Sequence, residues 1–181
     1  MPNFIDCRFV ISNKPVANIT LLQHPFSALL HRFPSCMLIH QRKPDKLYRM
    51  EQLVLLIDDD REELDILTLA LDAAGINTIM CAWAKSAEYA FHLFEHIVPD
   101  FIFLDFNMPK MDGLACLKQL KKINRIRDVP VVFYSTSINE DIKKQALETG
   151  ADCCIQKPGT INDLAEKLAD IFIKNGAGAA S

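Results

Sequence analysis

Three times between residues 53 and 134 a short apolar run stops at a residue able to do chemistry. The run 53–57 (Leu-Val-Leu-Leu-Ile) ends at Asp58, Phe101 to Leu104 ends at Asp105, and 129–134 (Val-Pro-Val-Val-Phe-Tyr) ends at Ser135. A fourth short segment, 153–156, leads into Lys157. Runs without polar alternation suit strands buried on both faces. Between them lie stretches with apolar residues at helical spacing, and short strands joined by helix-length crossovers build a parallel α/β sheet. In such a sheet the C-terminal strand ends share one edge, where ligands are held.

The intervening elements follow from the same spacing. Residues 63–74 carry Leu64, Leu67, Leu71 and Ala74 on one side, and Gly75 stops the helix. Residues 76–82 read as a second strand. Ser86 caps a helix through 97 that buries Ala87, Ala90, Phe91 and Phe94. A helix over 114–122 follows the central loop, Asn139 caps another to 149 with Gly150 as its stop, and 161–173 forms the last. Five strands therefore alternate with five helices.

The loop after the third strand is the most specific stretch: Asp105-Phe106-Asn107-Met108-Pro109-Lys110-Met111-Asp112-Gly113. Pro109 pushes Met108 toward extended geometry, so no helix starts before Gly113. This stretch resembles the phosphoacceptor loop of response-regulator receiver domains, an aspartate followed by x-x-Met-Pro-x-Met-Asp-Gly, and the match is complete. The resemblance covers residues 52–173. It implies a flavodoxin-like, doubly wound five-stranded parallel sheet of order 2-1-3-4-5 with helices on both faces.

It also implies roles for the strand ends. Three carboxylates in one small site repel each other unless a hard cation sits among them, and Mg²⁺ takes few carboxylates plus water and phosphate oxygens. By the resemblance, Asp59 and Asp105 ligate Mg²⁺ directly, the backbone carbonyl of Asn107 adds a third ligand, and Asp58 acts largely through water. Asp105 is then the nucleophile that forms an aspartyl phosphate. Ser135 stands at the family's hydroxyl position and Lys157 at its lysine, followed by Pro158 through a peptide bond that is cis in the family. Two positions depart from the pattern. Thr136 replaces a smaller residue beside the phosphate and narrows access to it. Cys154 stands three before the lysine, where the family has an aromatic switch.

Composition bounds the remainder. The chain has 181 residues, 50% apolar and 24% charged, enough for one domain and an extension. The extension is residues 1–49, with five of the nine prolines and no sustained period. It reads as poorly structured, or as sequence upstream of a start at Met50; residues 50–174 form the receiver domain and 175–181 a flexible tail. The extension carries seven Lys or Arg against two acids, whereas the rest carries 13 against 21. An acidic domain argues against direct contact with nucleic acid, which needs a clustered basic surface. The six cysteines form no C-x-x-C pair and read as reduced thiols. No stretch is long and apolar enough for membrane insertion, and the localisation implied is cytoplasmic. His92 and His96, four apart, read as a solvated helix face. Lys118, Lys121, Lys122, Arg125 and Arg127 read as a solvated helix end.

The function implied is a stand-alone, single-domain response regulator, since only eight residues follow Ile173. It takes a phosphoryl group from a histidine kinase or histidine phosphotransfer protein and signals to a downstream protein target by contact. It is a phosphoacceptor with self-catalysed transfer and dephosphorylation, not an enzyme in the usual sense. Two alternatives stand beside it. A Mg²⁺-dependent phosphohydrolase of the haloacid-dehalogenase kind would use the 58–60 acids, Ser135 and Lys157, and needs a further acid from Asp163, Glu166 or Asp170. A receiver-like scaffold would keep these residues without being phosphorylated.

Overall fold

A computed structural model describes residues 52–76 and 79–176, together with three short backbone strands nearer the N-terminus. In chain order the elements are β1 (Ile5–Cys7), β2 (Phe9–Ile11), β3 (Ile19–Leu21), β4 (Gln52–Ile57), α1 (Glu62–Ala73), β5 (Ile79–Ala84), α2 (Ala87–Leu93), β6 (Phe101–Leu104), α3 (Gly113–Leu120), β7 (Val131–Ser135), α4 (Glu140–Thr149), β8 (Cys153–Gln156) and α5 (Ile161–Gly176). The main sheet runs β2-β5-β4-β6-β7-β8. Its strands β4 to β8 are all parallel and, numbered among themselves, lie in the expected order 2-1-3-4-5.

Strand alternation divides the core into two layers. Leu55, Ile57, Ile102, Leu104, Val131 and Phe133 point one way, to α2, α3 and α4 through Ala90, Leu117 and Ala146. Val54, Leu56, Phe103, Val132 and Tyr134 point the other way, to α1 and α5 through Leu64, Leu67, Leu164 and Leu168. Every residue of β6 is buried, as its unbroken apolar run requires. Both faces are covered, so the chemistry is confined to the strand ends.

Several boundaries move for identifiable reasons. The second parallel strand covers Ile79–Ala84, not 76–82. Ile76 is used to close α1: with Gly75 at φ 74, the Gly75 N–H donates to Asp72 O and the Ile76 N–H to Leu71 O. This pair of bonds is the left-handed glycine stop of a helix. Gly150, at φ 109, closes α4 in the same way through Leu147 O and Ala146 O. Helix α2 ends at Leu93 instead of 97, because residues 94–97 tighten into turns. The Arg125 guanidinium donates to the carbonyls of Phe94 and Glu95 there. Phe94 is buried as expected, whereas Phe91 is only partly so. Helix α3 starts at Gly113, capped by Asp112 accepting from Ala115 N, and stops at Leu120.

The extension contributes an edge. Strand β2 pairs antiparallel with β5, Phe9 opposite Ala82 and Ile11 opposite Met80, and β1 pairs with β3. The expectation of a poorly structured 1–49 segment otherwise lies outside the described residues, as does most of the 175–181 tail.

Candidate functional site

The site is assembled at the C-terminal ends of β4, β6, β7 and β8. Asp58 follows β4, with 1% of its surface exposed, and its N–H donates to Ala84 O. Asp105 follows β6, is 4% exposed, and donates its N–H to Ile57 O. These two backbone bonds stitch both acids to neighbouring strands and fix the main chain from which each carboxylate projects. Asp59, next along, is exposed.

One ligand atom from each of Asp58, Asp59 and Asp105 lies within 4.8 Å of the others. Lys157 reaches this group from the far strand. Its Nζ donates to Asp58 Oδ2 at 2.7 Å and stands 3.3 Å from Asp105 Oδ1. The Lys157–Pro158 bond is trans, which corrects the cis bond carried over from the family. The lysine is placed instead by its N–H donating to Ser135 O and by the pull of the carboxylates. Trans is in any case the lower-energy form by about 0.5–1 kcal/mol.

Charge and burial work against each other here. Burial pushes the Asp58 carboxyl up to about 6, although the Lys157 and Asp60 hydrogen bonds oppose it. For Lys157 burial pulls downward, but the bond to Asp58 and the charges of Asp58, Asp105 and Glu63 outweigh it, and the ammonium is held more firmly than usual. The site thus carries more negative charge than one lysine offsets. Three clustered oxygen donors of this hardness fit a Mg²⁺ ion. Asp105 retains acceptor capacity for it, since a carboxylate has about four lone-pair sites. Its Oδ2 accepts only the Asn107 N–H, at 2.6 Å, among the described residues.

The loop after Asp105 is shaped by close packing. Met108 is buried, Lys110 adopts φ 69, and the Gly113 N–H donates to Phe106 O. A Cβ at Gly113 would collide with the Asp105 carbonyl and lie 2.9 Å from Phe106 Cα. The glycine is therefore needed for close approach of the α3 start to the acid, more than as a stop.

Ser135 ends β7 fully buried, and its Oγ has no hydrogen-bond partner among the described residues. A buried hydroxyl without a partner is costly, which makes it a ready donor to an incoming oxygen. Thr136 is exposed at the rim, and its carbonyl accepts from Gln156 Nε2 at 3.3 Å. Cys154 is half-buried and packs toward the α3 and α4 layer, with Sγ 4.0 Å from Lys143 O.

Three contributors were not visible in the sequence pattern. Glu63 on α1 brings Oε1 to 3.3 Å from Lys157 Nζ. Tyr134 donates its hydroxyl to Glu63 Oε2 at 3.1 Å, and its ring lies 5.1 Å from the lysine nitrogen. Trp83 Nε1 donates to Asp58 O at 2.8 Å. Glu63 and Tyr134 are a helix residue and a strand residue 71 positions apart, and no local spacing connects them.

Other candidate residues stay away from the site. Asp163, Glu166 and Asp170 are exposed on α5 and are not among the clustered acids, so the further acid of a dehalogenase-like site is missing from it. His92 and His96 are exposed, with His92 3.9 Å from Glu95. Of the basic group, Lys121 donates to the carbonyls of Arg127 and Val129. Among the described residues no helix is long and apolar enough to cross a membrane.

Known proteins resemble this chain over about two thirds of its length. The phosphate regulon transcriptional regulatory protein PhoB of Pseudomonas aeruginosa is 30% identical over 125 residues, which is 69% of this chain and 53% of that protein. The transcriptional regulatory protein CpxR of Klebsiella pneumoniae is 33% identical over 119 residues, 66% of this chain and 48% of that protein. The chain thus spans about half the length of the curated relatives it matches. Among solved structures, the phosphorylated cyanobacterial phytochrome response regulator RcpA superposes with a TM-score of 0.60 at 26% identity, covering 67% of this chain and 91% of that one. The Mn²⁺-bound form of response regulator Rcp1 gives 0.54 at 25% identity, with the same coverage. Residues 54–169 match the response regulator receiver domain, and the chain belongs to that family of two-component signalling domains.

Proposed function

We propose that Asp105 accepts a phosphoryl group from a phosphohistidine on a histidine kinase or histidine phosphotransfer protein, and that the domain signals by contact with a downstream protein. One observation carries this reading. A buried carboxylate, with an ammonium 3.3 Å from it and two further acids beside it, lies at the same sheet edge as the strand end that carries the partnerless buried hydroxyl of Ser135. Asp58, Asp59, Asp105 and the Asn107 carbonyl would hold Mg²⁺, which supplies positive charge to the transferring phosphoryl oxygens.

The chain's own groups do the rest. An Asp105 carboxylate oxygen forms a bond to phosphorus as the donor P–N bond breaks. The electron pair leaves with the imidazole, which takes up a proton. Little acid–base chemistry is needed, because such transfers depend on positioning and charge neutralisation. Lys157 neutralises one phosphoryl oxygen, and the Ser135 hydroxyl donates to another. Thr136 stands at the rim and limits access of water, so the self-catalysed loss of the phosphoryl group is slow. A scaffold that is never phosphorylated would not need a partnerless hydroxyl buried at this strand end. The domain acts in the cytoplasm, where histidine kinases present their phosphohistidine.

The test uses acetyl phosphate with Mg²⁺ and intact-mass detection. One added phosphoryl group is expected on the native chain and none on Asp105→Asn or in EDTA. Unchanged labelling of Asp105→Asn refutes the assignment of the acceptor.

A further inference from the structure

Glu63 is not part of the phosphoacceptor pattern, yet its carboxylate enters the site. It is the second residue of α1, and it bridges two groups. Oε1 stands 3.3 Å from Lys157 Nζ, while Oε2 accepts from the hydroxyl of Tyr134, itself 1% exposed. Glu63 is outside the cluster of Asp58, Asp59 and Asp105 that would hold a cation.

An ammonium has three donors. In this structure Lys157 shares them among Asp58 at 2.7 Å, Glu63 at 3.3 Å and Asp105 at 3.3 Å. A phosphoryl group on Asp105 brings three anionic oxygens. To bond one of them, the lysine must loosen an existing partner. Asp58 is the shortest contact and is itself fixed by the Asp60 N–H donating to its Oδ1. Glu63 and Asp105 are the two longer contacts; Asp105 is the residue that carries the phosphoryl group, whereas Glu63 is anchored elsewhere, by Tyr134. The lysine would stay in place without Glu63, because Asp58 and Asp105 still hold it.

Resting on the reading of Asp105 as phosphoacceptor, we propose that Glu63 is a positioning residue acting through Lys157. Braced by Tyr134, it competes with the phosphoryl group for the ammonium and so sets how tightly the site holds that group. Its removal strengthens phosphoryl binding instead of weakening it, the opposite of what a lost structural contact would do.

The probe is beryllofluoride with Mg²⁺, followed by fluorescence of Trp83, whose indole donates to the Asp58 carbonyl. Glu63→Gln should lower the apparent Kd by about tenfold, in the usual range of coupling between interacting groups. It should also speed labelling by acetyl phosphate. Tyr134→Phe frees the carboxylate and should give a smaller gain in the same direction. The double variant should match Glu63→Gln alone, since the tyrosine acts only through the glutamate. Glu62→Gln, which removes the same charge from the exposed neighbouring position, should leave the Kd unchanged. An unchanged or raised Kd in Glu63→Gln overturns the proposal, and so does an equal gain in Glu62→Gln. Should Glu63→Gln fail to fold, Tyr134→Phe decides by the sign of its effect. A native chain that labels at Asp105 while Glu63→Gln behaves identically refutes this inference alone. A native chain that does not label at Asp105 refutes the phosphoacceptor reading and this inference together.

Discussion

Asp58→Asn should stabilise the metal-free protein at neutral pH, although it removes a salt bridge. The reason lies in the cost of charge at this position. Burial raises the Asp58 carboxyl from 3.8 to about 6 even after the Lys157 bond is counted. The folded state therefore prefers the neutral carboxyl by about two pKa units, or ~3 kcal/mol at about 1.4 kcal/mol per unit. Asparagine supplies a neutral group of the same shape. It offers one acceptor where Asp58 has two, accepting from Asp60 N and from Lys157, so about 1 kcal/mol is lost again. The net gain is about 2 kcal/mol, which moves the melting temperature of a domain this size up by roughly 8 °C. The sign with pH follows from the raised value. Between pH 4 and 6 the native state binds more protons than the unfolded chain, so the contribution of Asp58 falls as pH rises through that window. Variant and native chain should therefore converge near pH 4 and separate by pH 7. Urea unfolding in EDTA at both pH values measures this, and adding Mg²⁺ should stabilise the native chain more than the variant. An Asp58→Asn midpoint equal to or below the native one at pH 7 in EDTA refutes the reasoning.

Gly113→Ala should cost about 3 kcal/mol, the upper range for inserting a methyl where there is no space, because the Cβ meets backbone at Asp105 and Phe106. Thermal unfolding reads this, and an unchanged melting temperature would mean that the loop is not held against α3. A chain starting at Met50 should fold, since β4 to β8 form the parallel sheet without the extension. Amides of residues 80–82 should lose hydrogen-exchange protection on β2 removal while 54–57 keep theirs; unaltered protection at 80–82 would show that the β2 pairing contributes nothing. On phosphorylation or beryllofluoride binding, residues 135–140 should change exchange more than 153–156, because the Cys154 side chain is too small to sweep out an aromatic's volume. Changes confined to 153–156 would contradict this, and Cys154→Tyr should not alter the labelling rate at Asp105.

What could be read from the sequence was what is local or periodic. The unbroken runs gave β4, β6 and β7 because a strand covered on both faces cannot alternate polar and apolar residues. Asn139 and Gly150 bounded α4 correctly, because a side-chain cap and a left-handed stop are both single-residue signals. The boundary of β5 slipped because Ile76 is apolar for a different reason: it seals the end of α1 instead of opening a strand. Asp58, Asp105, Ser135 and Lys157 were legible because each ends a strand, and parallel topology gathers strand ends on one edge.

The additional contributors obey a different logic. Tyr134 reads as one more apolar residue of β7, and its ring does pack at 6.1 Å from Phe103 in the layer under α1 and α5. Yet the alternation that sends this ring toward α1 also brings its hydroxyl to Glu63, a residue that looks like any acid in the first turn of a helix. A buried hydroxyl needs a partner, the partner here is a charge, and that charge in turn lies against Lys157. The identity of a strand residue in the core thus bears on the electrostatics of the site. Substituting phenylalanine at position 134 keeps the ring and its packing while releasing the carboxylate. If Glu63 competes for the lysine as proposed, Tyr134→Phe separates core packing from phosphoryl affinity by a single oxygen atom.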